Sequence, residues 1–511
     1  MISTVKGRFL QLDSKRKAHL ERQRRCASLT IPSLLPPEGM DENQELNVPW
    51  QSLGARGVHR LAAKLLLVLL PPNAPFFRLL PAPAIERELK AAPGGTKTQM
   101  ELALSDNEQR IRRFIEVHRI RVPLFRALKL LVATGNALCY VKDDGGMKVF
   151  RLDQYVVQRD PSGNVLEIIT RERISPLVLP EDIQDMIKTK SGKDPDDSET
   201  DVELYTQIKR SGNVYEVRQE VIGEILPGSG SYPVDSSPWF PLRWTDNDGE
   251  NYGRGLVDEN IGDHVSLDGL WKALVEGSAA AAKLVFLIHP NGLTDEEDIA
   301  KAPNCGFAAG REEDIGTLQA EKYADFQIAY RAIEYLSNNL SYAYLLNQAI
   351  QRDAERVTAE EIRLMAQELE DTLGGVYSIL SEEFQLPLIK RIVALMRDKQ
   401  LLSFKDKDIE PAVVTGLEAL GRGQDLTKLN AFMANIEPLG PEVMNMYLEI
   451  GEYIARVATS LGIDPKGLVK SEDQVMQTLG MSQLQQFLQQ AGPGALQELI
   501  KGAMTQQNIT R

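Results

Sequence analysis

Two stretches of the sequence decide the fold: LVDENIGDHVSLDGLWKALVEGSAAAAKL at residues 256–284 and ADFQIAYRAIEYLSNNLSYAYLL at residues 324–346. Apolar residues recur in both at helical spacing: Ile261, Val265, Leu270 and Leu274 in the first, and Phe326, Tyr330, Ile333 and Leu340 in the second. Apolar positions three or four residues apart are typical of amphipathic helices. The sequence therefore predicts two helices of similar length.

The segment between them, residues 284–319, reads LVFLIHPNGLTDEEDIAKAPNCGFAAGREEDIGTLQ. It contains a turn at Pro290-Asn291-Gly292 and short extended pieces, which predict a small α/β unit. A chain that leaves along one helix, forms a small unit and returns along another makes an antiparallel helix pair. We therefore predict a helix pair with a small knob at its tip.

The residues before this pair, 1–250, have the pattern of one α/β body. Helical periodicity covers residues 1–26, 52–70 and 98–133, and alternating β-branched and aromatic residues from 135 to 174 predict antiparallel strands. Residues 188–201 are polar and contain Pro and Gly, which predicts a loop. Residues 1–26 carry eight Lys or Arg against two acids. This basic helix has either a solvated face or an arm that contacts DNA or an acidic neighbour.

The residues after the pair are also helical in pattern. Residues 347–356, NQAIQRDAER, form a polar connector, and a long helix begins at Thr358, where Thr358 and Glu361 fit a capping box. Gly374-Gly375 and Pro387 are the expected sites of bends in that helix.

Composition limits the function classes. The chain has 511 residues, 43% of them hydrophobic, and its 58 Lys+Arg against 72 Asp+Glu give a formal net charge of −14. A protein that coats nucleic acid usually has a basic excess, so tight coating is disfavoured, while a protein that surrounds DNA without gripping it remains possible. The longest aliphatic run, Leu65–Leu70, is far shorter than the about 20 residues of a membrane span, and the N-terminus lacks a secretory pattern.

Motifs for catalysis are missing from the sequence. It contains no GxxxxGK[ST] phosphate loop, no HExxH and no GxSxG, and its five histidines include no pair four residues apart. Its three cysteines are far apart, which disfavours a disulfide scaffold or a zinc ribbon. We therefore expect no catalytic residue, no metal, no cofactor and no enzymatic activity.

Several segments in series resemble the head-to-tail connector, or portal, proteins of short-tailed, podovirus-type bacteriophages. The densest similarity is ERVTAEEIRLMAQELEDTLGGVYSILSEEFQLPL at residues 355–388. Earlier segments that carry the resemblance are LTIPSLLPPEG at 29–39, PWQSLGARGVHRLAAKLLLVLL at 49–70, Phe76–Leu79, VATGNALCYV at 132–141 and Gly253-Arg254-Gly255. The ordered series, rather than any single motif, indicates the family.

The resemblance implies an α+β, mainly helical portal fold in a ring of identical subunits, typically twelve, at one capsid vertex. It divides the chain into an α/β wing at 1–254, stem helix 1 at 255–283, a small α/β clip at 284–320, stem helix 2 at 321–346, a channel loop at 347–357, a long bent helix at 358–425 and a helical crown at 426–511.

The same resemblance implies partners and roles. Double-stranded DNA passes through the channel during packaging and ejection, and the implied protein partners are the major capsid protein, scaffolding protein, terminase, tail adaptor and internal core proteins, with no membrane contact. The expected location is the virion, after assembly in the host cytoplasm.

Candidate contact residues follow from this assignment. Arg352 and Arg356 in the channel loop are expected to contact DNA, unless they pair with Asp353 or Glu355 or cap neighbouring helices. Lys322 and Arg331 on stem helix 2 are lesser candidates, with ion pairs between subunits as the alternative. An acidic clip cluster is the candidate partner-docking site, although the run alone favours a solvated face: Asp295, Glu296, Glu297 and Asp298.

Two other classes remain open at the level of sequence. One is a non-viral helical scaffold, against which broken helices and the lack of sustained heptads argue. The other is a nucleic-acid-processing protein.

Overall fold

The structure is a computed structural model. It divides into two compact units, Met1–Gly416 and Leu417–Arg511. In the second unit it describes a helical piece at 431–436 and single residues up to 457, and all other elements below belong to the first. Apart from isolated residues, the described ranges are 4–40, 43–72, 76–82, 94–191, 201–228, 230–281, 285–290, 311–318, 323–346, 375–402, 409–413 and 431–436.

Four helices open the wing: α1 Val5–Ser28, α2 Leu53–Leu69, α3 Gly94–Val117 and α4 Arg121–Thr134. The helices predicted over 1–26 and 52–70 are confirmed as α1 and α2. The helical region predicted over 98–133 is confirmed, but it consists of two helices, because the chain turns at Arg119, whose φ is 51°. Pro123 lies in the first turn of α4, where its missing N–H costs no helical hydrogen bond.

Two antiparallel sheets form the rest of the wing. The strands are β2 Asn136–Val141, β3 Met147–Phe150, β4 Tyr155–Arg159, β5 Val165–Ile174, β6 Val202–Ser211, β7 Val214–Val221, β8 Glu224–Ile225, β9 Gly230–Pro233 and β10 Trp239–Arg243. One sheet has the order β10-β2-β3, and the other has the order β4-β5-β6-β7-β8, with β9 also paired to β7. Helix α5 (Glu181–Ser191) extends into the loop that was predicted over 188–201, so that prediction is wrong for its first four residues.

The basic side chains of α1 that contact acids do so within this chain. The Arg16 guanidinium is buried and donates to the backbone carbonyls of Leu152 and Tyr155. Arg8 pairs with Glu167 at 2.9 Å, and Arg24 donates to a Glu38 carboxylate oxygen at 3.0 Å. These contacts hold α1 against the wing, and they make Arg8 and Arg16 structural cations rather than a free DNA-binding arm.

The wing meets the helix pair at a glycine contact. Gly135 ends α4 with a φ of +72°, and a Cβ atom there would lie 2.4 Å from the backbone nitrogen of Gly255. The Asn136 side chain donates to the Gly253 carbonyl at 2.7 Å and accepts from the Gly253 N–H at 2.9 Å. Two of the segments that carry the family resemblance therefore lie against each other where the chain leaves the wing.

From this junction a short helix, α6 (Leu256–Glu259), leads into α7 (Ile261–Ala281), and α8 (Tyr323–Ala343) returns. Between them β11 (Val285–Ile288) pairs antiparallel with β12 (Ile315–Leu318). We call α7 and α8 the stem hairpin.

The chain after residue 374 returns to the wing. Helical residues 375–380 lead through a π-helical turn, Ser381–Gln385, into α9 (Leu386–Asp398). Strand β13 (Ile409–Val413) then pairs antiparallel with β1 (Phe77–Pro81), with Phe77 opposite Val413. The prediction of one helical segment over 358–425 is therefore wrong at Ile409–Val413, which is a strand. The predicted helix start at Thr358 and the bend at Gly374 lie outside the described residues.

The largest apolar core gathers helices that are distant in sequence. It combines α2, α4 and α9 with the base of the stem hairpin. Its members include Val58, Leu61, Leu65, Leu124, Leu128, Leu131, Leu388, Ile389, Ile392, Ile333, Leu340 and Tyr344. Because Ile333, Leu340 and Tyr344 belong to this core, the stem hairpin has a fixed root in the wing.

Candidate functional site

The two helices of the stem hairpin run antiparallel, as two contacts at opposite ends show. Near the free end, a Cβ atom on Gly277 would lie 2.9 Å from the Phe326 ring. At the base, His264 Nε2 and the Tyr344 hydroxyl share a hydrogen bond of 2.9 Å. The predicted antiparallel pair is thus confirmed.

The predicted apolar stripes are only partly correct. Leu267, Ile333 and Leu340 are buried between the helices or in the wing core, but Tyr330 is 58% exposed and Val265 is 37% exposed. Helical spacing alone did not separate the inward from the outward face, because both faces of α8 carry large apolar side chains.

The base of the hairpin is a buried polar contact inside the core. His264 is fully buried, and burial lowers its pKa to about 4, so the imidazole is neutral at pH 7. Burial also raises the pKa of the Tyr344 hydroxyl. Gly57 of α2 lies against the Tyr344 ring, where a Cβ atom would come within 2.4 Å. Lys64 of α2 donates to the Leu345 carbonyl at 3.0 Å, so α2 holds both the ring and the backbone where α8 ends.

A second attachment joins α7 to the segment before α2. One Asp268 carboxylate oxygen accepts from the backbone N–H groups of Trp50 at 2.7 Å and Gln51 at 3.3 Å. The Gln51 side chain accepts from the Gly54 N–H at 2.8 Å, in the first turn of α2. The start of α2 and the middle of α7 are therefore fixed relative to each other.

The π-helical turn attaches α9 to the wing sheet. Glu383 accepts hydrogen bonds from the Arg243 side chain at 2.7 and 2.9 Å and from the Arg243 N–H at 2.9 Å, and it lies 3.4 Å from Arg159. Both arginine side chains are buried. Burial lowers the pKa of Arg159, an effect that the Glu383 charge opposes.

In the same turn, the Gln385 amide donates to the Leu69 carbonyl at the end of α2 at 2.8 Å. Extra-residue turns of this kind are frequent at functional positions of helices. These contacts could not be predicted, because Glu382-Glu383 has the pattern of an ordinary solvated acidic pair.

The residues predicted to contact DNA are only partly within the described chain. Arg331 lies on α8 and is exposed. Lys322, Arg352 and Arg356 lie outside the described residues.

Of the acidic clip cluster, Asp295 and Glu297 are described and exposed, and Glu296 and Asp298 are not described. Glu297 pairs with Lys301 on one side, and its N–H donates to the Asp295 carboxylate at 3.0 Å. Exposed pairs of this kind contribute little to stability. The structure does not bring Asp295 or Glu297 together with Arg331 into one site.

The described residues offer no further chemistry of the usual kinds. They contain no group of three or more His, Cys, Asp or Glu side chains arranged to hold a metal ion. Burial raises the pKa of both Cys26 and Cys139 to about 12, which leaves these thiols protonated. Of the helices in the described ranges, none combines the length and the apolar character needed to cross a membrane.

Three known portal proteins are similar in sequence to this chain over most of its length. The Portal protein of Enterobacteria phage T3 is 40% identical over 476 residues, which are 92% of this chain and 89% of that protein. The Portal protein of Escherichia phage T7 is 39% identical over 488 residues, 94% of this chain and 91% of that protein. The Portal protein of Enterobacteria phage SP6 is 29% identical over 505 residues, 96% of each.

A solved chain from the virion of a native gene transfer agent particle is 13% identical, with a TM-score of 0.35, and covers 80% of this chain and 89% of its own. We draw no conclusion from a similarity of that size. The profile of the bacteriophage head to tail connecting protein family, in contrast, matches residues 3–469. The chain therefore belongs to the bacteriophage head to tail connecting protein family, and its function is that of a phage portal protein.

Proposed function

We propose that twelve copies of this chain form a closed ring at one vertex of the capsid, and that double-stranded DNA passes through the ring during packaging and ejection. The observation that carries the proposal is the family match over residues 3–469. The antiparallel stem hairpin, rooted in the wing core, has the arrangement that the family resemblance led us to expect. The segment boundaries from 1–254 to 426–511 are part of this proposal, except that residues 358–425 are not one helix, because Ile409–Val413 is a strand.

A passage for DNA has to hold a polyanion loosely. Each phosphate that a Lys or Arg neutralises adds affinity that depends on salt, so a strongly basic channel would slow the DNA. A chain with 58 Lys+Arg against 72 Asp+Glu suits a passage that is basic only at chosen points. In a ring of twelve, each such point becomes a ring of charges.

Arg352 and Arg356 in the channel loop are the proposed DNA contacts. Pairing with Asp353 or Glu355 stays the alternative for both. Lys322 is a lesser candidate for DNA contact. Arg331 is the other lesser candidate, and an ion pair between subunits is the alternative for this residue.

The clip is the proposed docking site for the terminase and later for the tail adaptor. The exposed carboxylates of Asp295 and Glu297, with Glu296 and Asp298 between and after them, supply the negative charge of that site. The major capsid protein, scaffolding protein and internal core proteins are proposed partners of the rest of the ring. We propose that the chain performs no chemistry itself and that an ATP-driven terminase moves the DNA.

Negative-stain microscopy of the purified protein tests the ring. We expect rings with a central hole. Monomers or open filaments under the same conditions would contradict the proposal.

Arg352→Ala with Arg356→Ala tests the DNA contacts. We expect the double variant to assemble into normal heads that retain packaged DNA poorly, measured as the fraction of DNA-filled particles. Arg218→Ala is the control, because Arg218 is an exposed wing residue whose ion-pair partner is Glu216. Normal DNA retention by the double variant would remove Arg352 and Arg356 from the channel contacts.

A further inference from the structure

The outward face of α8 carries an apolar stripe. Ile328, Tyr335 and Tyr342 are 69%, 67% and 69% exposed, and they lie seven residues apart. Seven residues make about two helical turns, so these three side chains form one line along the helix. The inward face of the same helix is already occupied by contacts to α7 and the wing core, so nothing within the described part of the chain covers the stripe.

The outward face of α7 carries a matching stripe of small residues. Gly262 and Gly269 are exposed and also lie seven residues apart, and a Cβ atom added to either would meet nothing within 4 Å. Ser266, Ala273 and Ala280, all exposed, continue this line, and Glu276 lies in it as well. The space above both glycines is open, so this face could accept large side chains, because small residues allow close approach of another helix.

The two stripes match in height along the hairpin. The antiparallel register is fixed by the contact of Gly277 with Phe326 and by the His264–Tyr344 hydrogen bond. In this register Tyr335 stands level with Gly269. The His264–Tyr344 hydrogen bond places Tyr342 level with Ser266, about one helical turn from Gly262. The Gly277–Phe326 contact places Ile328 within one residue of the height of Glu276. Each large side chain on one side of the hairpin thus has a small residue or an acid at its own height on the other side.

The charges on the two faces are complementary too. Glu276 on α7 and Arg331 on α8 are both exposed, and they differ in height by about one helical turn. No salt bridge in the described part of the chain involves either residue. An arginine on the large-residue side and a glutamate on the small-residue side are suited to pair across an interface.

We propose that the stripe of Ile328, Tyr335 and Tyr342 packs into the Gly262–Gly269 face of the next copy of this chain, and that Arg331 pairs with that copy's Glu276. The proposal rests on the ring proposed above and identifies where its subunits meet. A ring needs a contact between two different faces of the same molecule, repeated around one axis. If the ring axis runs along the hairpin, rotation about it moves no residue up or down along that axis. Residues of α7 and α8 that are level within one copy are then also level between neighbouring copies.

A second copy fits these faces better than another partner. An unrelated protein would need only one of the two stripes, whereas the hairpin carries both halves of one contact, one on each helix and at similar heights. Away from the stripe, the other exposed side chains of α8 are mostly polar, with Tyr330 as the apolar exception: Gln327, Glu334 and Asn338.

Disulfide trapping tests the contact. We expect Gly269→Cys combined with Tyr335→Cys to give, on oxidation, a ladder of covalent multimers that extends to ring size on a non-reducing gel. The matched control is Gly269→Cys with Glu334→Cys, because Glu334 has nearly the same height but points to the polar part of α8. Each single-cysteine variant shows the background from the native cysteines, of which Cys26 and Cys139 are buried.

The result for the unsubstituted chain distinguishes a wrong contact from the absence of a ring. If the unsubstituted chain forms rings but the Gly269/Tyr335 pair cross-links no more than the Gly269/Glu334 pair, the proposed contact is wrong and the ring stands. If the unsubstituted chain forms no rings, the proposed function fails.

If the cysteine variants fail to assemble, charge reversal at Glu276 and Arg331 tests the same contact. We expect Glu276→Arg and Arg331→Glu each to reduce ring yield at least tenfold, and the double variant to restore most of it. Equal yields in all four proteins would overturn the Arg331–Glu276 pair.

Discussion

The wing and the stem hairpin use the same kinds of side chain in opposite ways. In the wing, the buried Arg159 and Arg243 guanidinium groups share the partly buried Glu383 carboxylate, and Arg243 also pairs with Asp246. In the stem hairpin, Tyr335 and Tyr342 are two-thirds exposed. These wing charges are paired within one chain, whereas nothing in the described part of the chain covers Tyr335 and Tyr342.

This difference separates stability from assembly. Substitutions in the wing and at the base of the hairpin should change the unfolding of a single chain. Substitutions on the outward faces of the hairpin should leave single-chain unfolding nearly unchanged, or improve it, and alter ring formation instead.

The largest effect on a single chain is expected for Glu383→Ala. Removing this carboxylate leaves the buried Arg243 and Arg159 guanidinium groups without their shared anion, which should cost about 3–5 kcal/mol in the free energy of unfolding. Urea-induced unfolding measures the loss. The neighbouring Glu382→Ala, at an exposed position, should change stability by less than about 0.5 kcal/mol. Equal effects of the two substitutions would contradict the account of the π-helical turn.

The next effect is a dependence on pH that arises from His264. Its pKa in the folded chain is about 4, below the ordinary value of 6.5, so the unfolded chain binds the proton more readily. The stability linked to this group is fully present above pH 6.5 and falls by about 3 kcal/mol as the pH drops from 6.5 to 4.

His264→Gln should remove this part of the pH dependence of unfolding. Tyr344→Phe is the control. It deletes the hydrogen bond to His264 but keeps the burial that shifts the pKa, so the pH dependence should remain. A slope between pH 4 and 6.5 that is the same in His264→Gln and in the unsubstituted chain would refute the assignment.

The smallest effects come from two glycines within helices. At Gly57 a methyl group would overlap the Tyr344 ring, so Gly57→Ala should destabilise the chain by about 1–3 kcal/mol. At Gly269 the space is open, and Gly269→Ala should stabilise a single chain by up to about 1 kcal/mol through helix propensity. Chemical unfolding at a concentration where the protein is monomeric measures both. If both substitutions changed the free energy of unfolding in the same direction, the proposed difference between the inward and outward faces would be wrong.

Local patterns predicted much of this fold. Helical periodicity located α1, α2, α7 and α8, and the turn residues in the segment between α7 and α8 indicated the small unit there. These elements depend on neighbouring residues, which a sequence displays directly. The break between α3 and α4 has a local signal in Pro123, because proline is tolerated in the first turn of a helix but not in its interior.

Contacts between residues that are distant in the sequence could not be predicted from local patterns. Strand β13, IEPAV, contains a proline and pairs with β1 more than 320 residues away, so nothing local marks it as a strand. The Glu383–Arg243 pair spans 140 residues. The inward and outward faces of α8 could not be told apart either, because Tyr330, Tyr335 and Tyr342 look as apolar in sequence as the residues that are buried.

The most direct test of the proposed contact between hairpins is an electron cryomicroscopy reconstruction of the assembled protein. The quantity to measure is the distance from Tyr335 to Gly269 of the neighbouring subunit. We predict a closed ring in which the Tyr335 side chain of each subunit lies within about 4.5 Å of Gly269 of its neighbour, the distance of ordinary side-chain contact. A ring in which Tyr335 faces the open channel, with Gly269 of the neighbour out of its reach, would contradict the account of how the hairpins meet.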